Sequence, residues 1–327
     1  MLKKHLCIFI VHFFFPFSKP SPSILVESGG ATALGDKFIK IETSVKEIRT
    51  PISKIPFIEQ QVINDKIFGA RNIAIYADFH KTLISPDGKN WKQIHSLITE
   101  VSKYANILIS SRGRNEKMVF ELKDIPRIII SEELGMKVTI GGKTKNPYHI
   151  DVKDFETIKQ ITYDVIKCAM NSWNIDTVED VKKSFVFSKT TYKMDFPQSL
   201  SKIYRSKISR KVEEAISSNK AISHWGTSFS DGDSIRYFAS KKCSKLNVLK
   251  DYLLSTSDKY DMMISLGNGD ADEEVHKFMN KNNFLSILVR NEGEKKKDSF
   301  AQYRVNDHLS VYQILEKLID LKKKQCV

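Results

Sequence analysis

Apolar residues follow two rhythms along this chain of 327 residues. Short apolar runs at Ile73-Ala74-Ile75-Tyr76-Ala77, Ile107-Leu108-Ile109, Met262–Leu266 and Leu285–Val289, the last two each holding a single serine, have the length of strands buried on both faces, and Arg127–Ile130 adds another. Between them apolar residues recur three and four apart: Ile94, Leu97, Ile98 and Val101 within Trp91–Tyr104, then Lys245–Leu254, Glu273–Asn280 and Val311–Leu321. That is the spacing of amphipathic helices. Strands alternating with helices of this size predict an α/β fold, a Rossmannoid parallel sheet with helices on both faces.

The rhythm changes between about Gly142 and Ala239. Helical segments Asp154–Asn171 and Ser199–Ser217 alternate there with strand-like Lys183–Phe187 and Ala221–Trp225. The pattern predicts an inserted α+β cap domain over 142–239, dividing the sheet domain into 71–141 and 240–327. Ahead of it, 24–70 is interrupted by Gly29-Gly30, Pro51 and Pro56 and reads as a partly ordered lead-in.

Residues 1–23 stand apart. Lys3, Lys4 and His5 precede the apolar stretch Leu6–Phe15, and a Pro/Ser segment from Pro16 to Ser23 follows. A basic start, a short apolar stretch and small residues at Ser21 and Ser23 are the signature of a signal peptide, so a secreted or secretory-pathway protein is expected. An uncleaved anchor is one alternative; a mispredicted start, leaving a cytoplasmic protein, is the other. No stretch is long enough for an ordinary membrane span. The cysteines Cys7, Cys168, Cys243 and Cys326 form neither a disulfide framework nor a zinc spacing. Cys168 falls on a helical apolar face and reads as core; His149 and His224 show no metal spacing.

The formal net charge is +13. Its dense runs, Lys295-Lys296-Lys297 and Lys322-Lys323-Lys324, lack interleaved aromatics, which favours a solvated lysine-rich surface over a nucleic-acid groove.

In an open parallel sheet, the loops at the carboxyl ends of the strands converge on one crevice. Asp78, Ser110, Lys245 and the loop Gly267-Asn268-Gly269-Asp270-Ala271-Asp272 all lie at such ends or at the start of the helix beside one. The hexapeptide Asp78-Phe79-His80-Lys81-Thr82-Leu83 resembles the first motif of the haloacid-dehalogenase (HAD) superfamily, usually Asp-x-Asp-Gly-Thr-Leu, and the downstream residues stand in that family's order. The resemblance covers about residues 71–321. It implies Asp78 as nucleophile and residue 80 as general acid/base. It also implies Ser110, Lys245 and Thr82 around the phosphate, and Mg2+ held by Asp78, the backbone carbonyl of His80, Asn268 and Asp272.

The position of the insert resembles that of the sugar-phosphate phosphatase branch. Within that branch, Asp272-Glu273-Glu274-Val275 and Ala301-Gln302-Tyr303-Arg304-Val305 are similar to segments of trehalose-6-phosphate phosphatases. That implies a sugar phosphate as ligand and a trehalose-synthesis protein as partner. The departures, His80 for Asp, Lys81 for Gly and Asn268 for Asp, fall on acid/base and metal functions. The expected protein is a phosphoric monoester hydrolase acting on trehalose 6-phosphate with reduced activity. The alternative is an inactive pseudophosphatase with a binding or regulatory role.

Overall fold

The alternation of strand residues decides which helix covers which face. The computed structural model describes residues 48–172, 186–188, 192–197, 200–230, 233–256, 258–291, 293 and 297–325, so the expected signal segment and most of the lead-in lie outside the described residues. Strands β1 (Thr50–Pro51), β2 (Ile73–Asp78), β3 (Ala105–Ser110), β4 (Ile128–Glu132), β5 (Lys137–Ile140) and β6 (Lys143–Lys145) are interleaved with helices α1 (Gln60–Ile67), α2 (Trp91–Val101) and α3 (Glu116–Leu122). The cap follows with α4 (Val152–Ser172), β7 (Val186–Ser188), β8 (Lys193–Asp195), α5 (Lys202–Ser218), β9 (Gly226–Ser230) and β10 (Ser234–Phe238). The chain then returns through α6 (Lys245–Ser255), β11 (Met262–Gly267), α7 (Glu273–Lys281), β12 (Leu285–Val289), β13 (Asp298–Ser299), β14 (Tyr303–Val305) and α8 (His308–Gln325).

Eight strands form the main sheet in the order β14-β12-β11-β2-β3-β4-β5-β6. The first six run parallel; β5 and β6 add an antiparallel edge. Ile73, Ile75 and Ala77 of β2 pack with α1, α2, α3 and α8 on one face. Ala74 and Tyr76 pack on the other, under Val248 and Leu249 of α6 and Val275 and Met279 of α7. Successive side chains of a strand point to opposite faces, so Asp78 shares the side of Tyr76, toward α6 and α7. Position in the sheet thus aims the carboxylate before any specific contact is considered.

The cap is a four-stranded antiparallel sheet, β7-β8-β10-β9, with α4 and α5 packed together. Its core gathers Phe155, Ile158, Ile208, Val212, Trp225 and Tyr237. Phe155, Tyr192, Trp225 and Tyr237 pack ring against ring, with centroids 5.0 to 6.4 Å apart.

Three local expectations are corrected. Ala221–Trp225 is a series of turns, in which the Asn219 side chain accepts from the Ala221 N–H at 3.1 Å and the Trp225 N–H donates to the Ile222 carbonyl at 2.9 Å. The strand starts one residue later, at Gly226. Cys168 is exposed, because the buried stripe of α4 runs through Phe155, Ile158, Thr162 and Ile166, and two residues beyond Ile166 is the far side of a helix. Lys322, expected on a solvated surface, lies in the last turn of α8 with its ammonium buried, donating to the Ala70 carbonyl and to Gln325 Oε1 at 2.9 Å.

Candidate functional site

Four separate segments converge at the carboxyl end of β2. Asp78 and Ser110 are register partners on β2 and β3, so their side chains stand together on the α6/α7 face. Lys245 is the first residue of α6, after Ser244, whose hydroxyl caps the helix by accepting from the Asn247 N–H at 3.1 Å. A cation at a helix N-terminus opposes the helix dipole. It is held there, 3% exposed, by two carboxylates: the Lys245 ammonium donates to Asp78 Oδ1 and, at 2.8 Å, to Asp272 Oδ1. The other oxygen of Asp272 accepts from the Gly269 N–H at 2.9 Å. Gly267 makes this approach possible, since a Cβ there would stand 2.5 Å from Asp272 Cγ.

Burial pushes the Asp78 carboxyl up to about 6, with Lys245 opposing and Asp272 adding to the shift. Burial alone would raise Asp272 and lower Lys245; their mutual attraction reverses both, leaving Asp272 below its ordinary range and Lys245 above. The three form a buried −1 cluster that holds the lysine charged at neutral pH.

Two hydroxyls on the segments that carry Asp78 and its register partner are left without hydrogen bonds. Ser110 Oγ and Thr82 Oγ1 are fully buried and have no hydrogen-bond partner among the described residues. The Tyr76 hydroxyl, near Ser110 and Asp272, likewise makes no hydrogen bond of good geometry among the described residues, and its proton is held well above the usual phenol range by burial and then by the charge of Asp272. A buried polar atom without a partner is costly, and three on the segments that carry Asp78 and its register partner describe a polar ligand's surroundings.

His80 is exposed toward solvent, its ring edge-on to Phe79 at 5.0 Å. Partial burial, then Lys245 and Arg236, lower its pKa, so the imidazole is neutral near pH 7 and poorly supplied with a proton to donate. Lys81 has φ 60°, a conformation natural to the glycine that this position resembles; its carbonyl accepts from Asn291 Nδ2 at 2.7 Å. Asn268 is half-buried in the loop between β11 and Asp270. Asp270 faces outward toward Arg49, 3.9 Å away.

As arranged, these residues do not fit a magnesium ion. Both oxygens of Asp272 and one of Asp78 are already engaged by Lys245 and Gly269, and a dication on the expected ligands Asp78, His80, Asn268 and Asp272 would have to displace the ammonium. Among the described residues no three acidic, histidine or cysteine side chains form a metal-holding group.

The sequence reading brought Asp78, Thr82, Ser110, Lys245 and Asp272 to one place; the structure joins Asp78, Ser110, Lys245 and Asp272, and Thr82 is buried four residues beyond Asp78. It missed Tyr76 and also Glu133, a buried acid just past β4. The signal for Tyr76 was its alternation with Asp78; for Glu133 it was the end of a strand beside β3.

A parallel α/β core with an α+β cap between β6 and α6 is a HAD-like fold, and in it the strand-end Asp78 is paired with Lys245 from the first helix after the cap. No family model and no curated protein matches the sequence. Among solved structures the fold is similar to Aspergillus fumigatus trehalose-6-phosphate phosphatase, with a TM-score of 0.61 at 13% identity over 81% of this chain and 98% of that one. It is also similar to the C-terminal domain of the Candida albicans trehalose-6-phosphate phosphatase, with a TM-score of 0.60 at 12% identity over 84% and 99% of the two chains. The Candida albicans trehalose synthase regulatory protein C-terminal domain gives 0.57 at 11% identity over 80% and 99%. These structural neighbours share the fold of this chain; likeness at such identities extends no further.

Proposed function

We propose that the crevice at Asp78 binds the phosphoryl group of a sugar phosphate, with trehalose 6-phosphate the leading substrate, and hydrolyses it slowly. The observation that carries this reading is the meeting of Asp78 and the Lys245 ammonium with the buried, unbonded hydroxyl of Ser110; Thr82, four residues beyond Asp78, carries a second such hydroxyl. A phosphoryl oxygen would accept from the lysine and both hydroxyls, giving the buried groups the partners they lack. An Asp78 oxygen would attack phosphorus, the bond to the sugar oxygen would break, and that oxygen would leave as the alcohol after taking a proton. Water attack on the aspartyl-phosphate would then release orthophosphate and return the carboxylate.

Weak turnover follows from the first step. With His80 held neutral, the leaving oxygen lacks a positioned acid, a loss that typically costs about 10²- to 10⁴-fold in rate. The same observation favours a second reading, a non-catalytic phosphosugar-binding protein with a regulatory role. One of the neighbouring folds belongs to a protein titled a trehalose synthase regulatory protein, and a trehalose-synthesis protein is the partner this reading would have. Secretion, removal of residues 1–23 and the division at 142 and 240 remain parts of the proposal.

Phosphate release from a panel of sugar phosphates, compared between wild type and Asp78→Asn, distinguishes the two. Slow release that vanishes in the variant supports the phosphatase. Release equal in both chains would remove Asp78 from the chemistry, and no release with retained phosphate binding would leave the binding protein.

A further inference from the structure

A buried carboxylate that accepts no hydrogen bond among the described residues, its charge met by an ion pair with Lys137, stands one strand away from Ser110. Glu133 directly follows β4, which lies beside β3 with Ser131 opposite Ser110. Its side chain is 3% exposed, yet neither carboxylate oxygen has a hydrogen-bond partner among the described residues. The Lys137 ammonium stands 3.7 Å from Oε2, too far for a hydrogen bond.

The backbone is strained at the same place. Glu133 and Leu134 have φ of 53° and 54°, consecutive left-handed conformations without a glycine's freedom. The Leu134 N–H donates to the Ser111 carbonyl at 3.3 Å, tying the strained turn to the loop that follows Ser110. Gly135, at φ 93°, sits so close to Val248 of α6 that a Cβ would stand 2.3 Å from its methyl group. The turn is therefore clamped between the phosphate loop and the helix carrying Lys245. Strain and unsatisfied burial both oppose folding, and both fall on one residue.

We propose that Glu133 is a specificity residue that accepts hydrogen bonds from two neighbouring hydroxyls of the sugar portion of the ligand. The proposal rests on the reading of the Asp78 crevice as a phosphate site and extends it to the leaving group. Lys137 and the guanidinium groups of Arg114 and Arg236 all bear on Glu133 with positive charge. They disfavour an amine as its partner and leave neutral O–H donors, of which a vicinal diol offers two to one carboxylate. Tyr192 of the cap also interacts with Glu133. It lines a cleft of about 570 Å³ together with the linker Asn146–Ile150, which includes Tyr148 and His149. Aromatic faces suit the C–H faces of a sugar ring, while a carboxylate suits its hydroxyl edge. Arg236 and Tyr192 come from the cap and Glu133 from the core, so a ligand reaching from Asp78 to this carboxylate would touch both.

Calorimetric titration of the full chain with orthophosphate and with trehalose 6-phosphate tests the proposal in wild type, Glu133→Gln and Tyr148→Ala. Wild type is expected to bind the sugar phosphate more tightly than orthophosphate. Glu133→Gln is expected to lose about tenfold in affinity for the sugar phosphate with orthophosphate unchanged, the size expected for hydrogen bonds to a charged acceptor. Tyr148→Ala should weaken only the sugar phosphate as well. Unchanged sugar-phosphate affinity in Glu133→Gln overturns the role of Glu133 while leaving the phosphate crevice intact. Failure of wild type to bind orthophosphate overturns the crevice reading and this one with it.

Discussion

Lys245 and Glu133 break local rules in opposite ways. Lys245 puts a positive charge at a helix N-terminus and buries it, but Asp78 and Asp272 satisfy it, so the violation is closed within the protein. Glu133 is buried with neither oxygen hydrogen-bonded among the described residues, and the Lys137 ammonium 3.7 Å away offsets its charge without supplying a hydrogen bond, so its violation is only partly closed. The groups bearing on it are Lys137 from β5, Arg114 from the loop before α3, Arg236 and Tyr192 from the cap, and its neighbour Glu132, whose own Oε1 accepts from the Asn115 N–H. Burial, the largest influence, holds the Glu133 proton above the ordinary carboxylate range, with Lys137 the main opposing charge. The folded chain therefore binds that proton more tightly than the unfolded chain. The stability due to this group is complete below the ordinary carboxylate range and is lost as pH rises through it toward the raised folded value. Glu133→Gln removes that loss. In urea unfolding we expect the variant and wild type to be close in stability at about pH 4 and the variant to be more stable at about pH 7. A wild type that is the more stable at the higher pH would mean that its carboxylate is satisfied.

At the scale of elements, the two rhythms of the sequence translated directly into structure wherever a segment carries its own period. Leu285–Val289 is a strand from end to end, and Trp91–Val101 is a helix whose buried residues, Ile94, Ile98 and Val101, keep the expected spacing. Ala221–Trp225 failed because its β-like composition serves a different purpose: Trp225 is buried at the centre of the cap core, and its indole N–H donates to Asp154 Oδ2 at 3.1 Å. Turn bonds from Asn219 and Ile222 deliver it there, and no periodicity records such bonds. Trp225 packs against Phe155 and Tyr192. Trp225→Ala should cost about 3–5 kcal/mol of stability, as large aromatic truncations in a core do. Chemical unfolding followed by tyrosine fluorescence would measure it, and a cost below about 1 kcal/mol would show that the cap core collapses around the loss without penalty.

For the whole molecule, the fold gathers Asp78, Ser110, Lys245 and Asp272 at one strand end, and under the proposed reading two altered positions and one lysine decide the chemistry there. Restoring acids at both altered positions, His80→Asp with Asn268→Asp, adds a proton donor beside the leaving group and negative charge beside Asp272. We expect that double variant to gain magnesium-dependent phosphate release by roughly 10²-fold or more, and wild type to show the same melting temperature with magnesium as with a chelator. Magnesium stabilisation of wild type would mean that the ion displaces Lys245; an inert double variant would place the remaining deficit in the cap. The sequence alone determined the strands and helices of the sheet and put Asp78, Ser110 and the loop of Asp272 at strand ends and Lys245 at a helix start, because alternation and helical period are local properties that each segment carries by itself. Only the tertiary structure decided that Lys245 bridges the two carboxylates, that Ser110 and Thr82 are left without partners, and that Glu133 is strained and accepts no hydrogen bond among the described residues. Burial and hydrogen bonding are relations between segments far apart in the chain, and no single segment contains them.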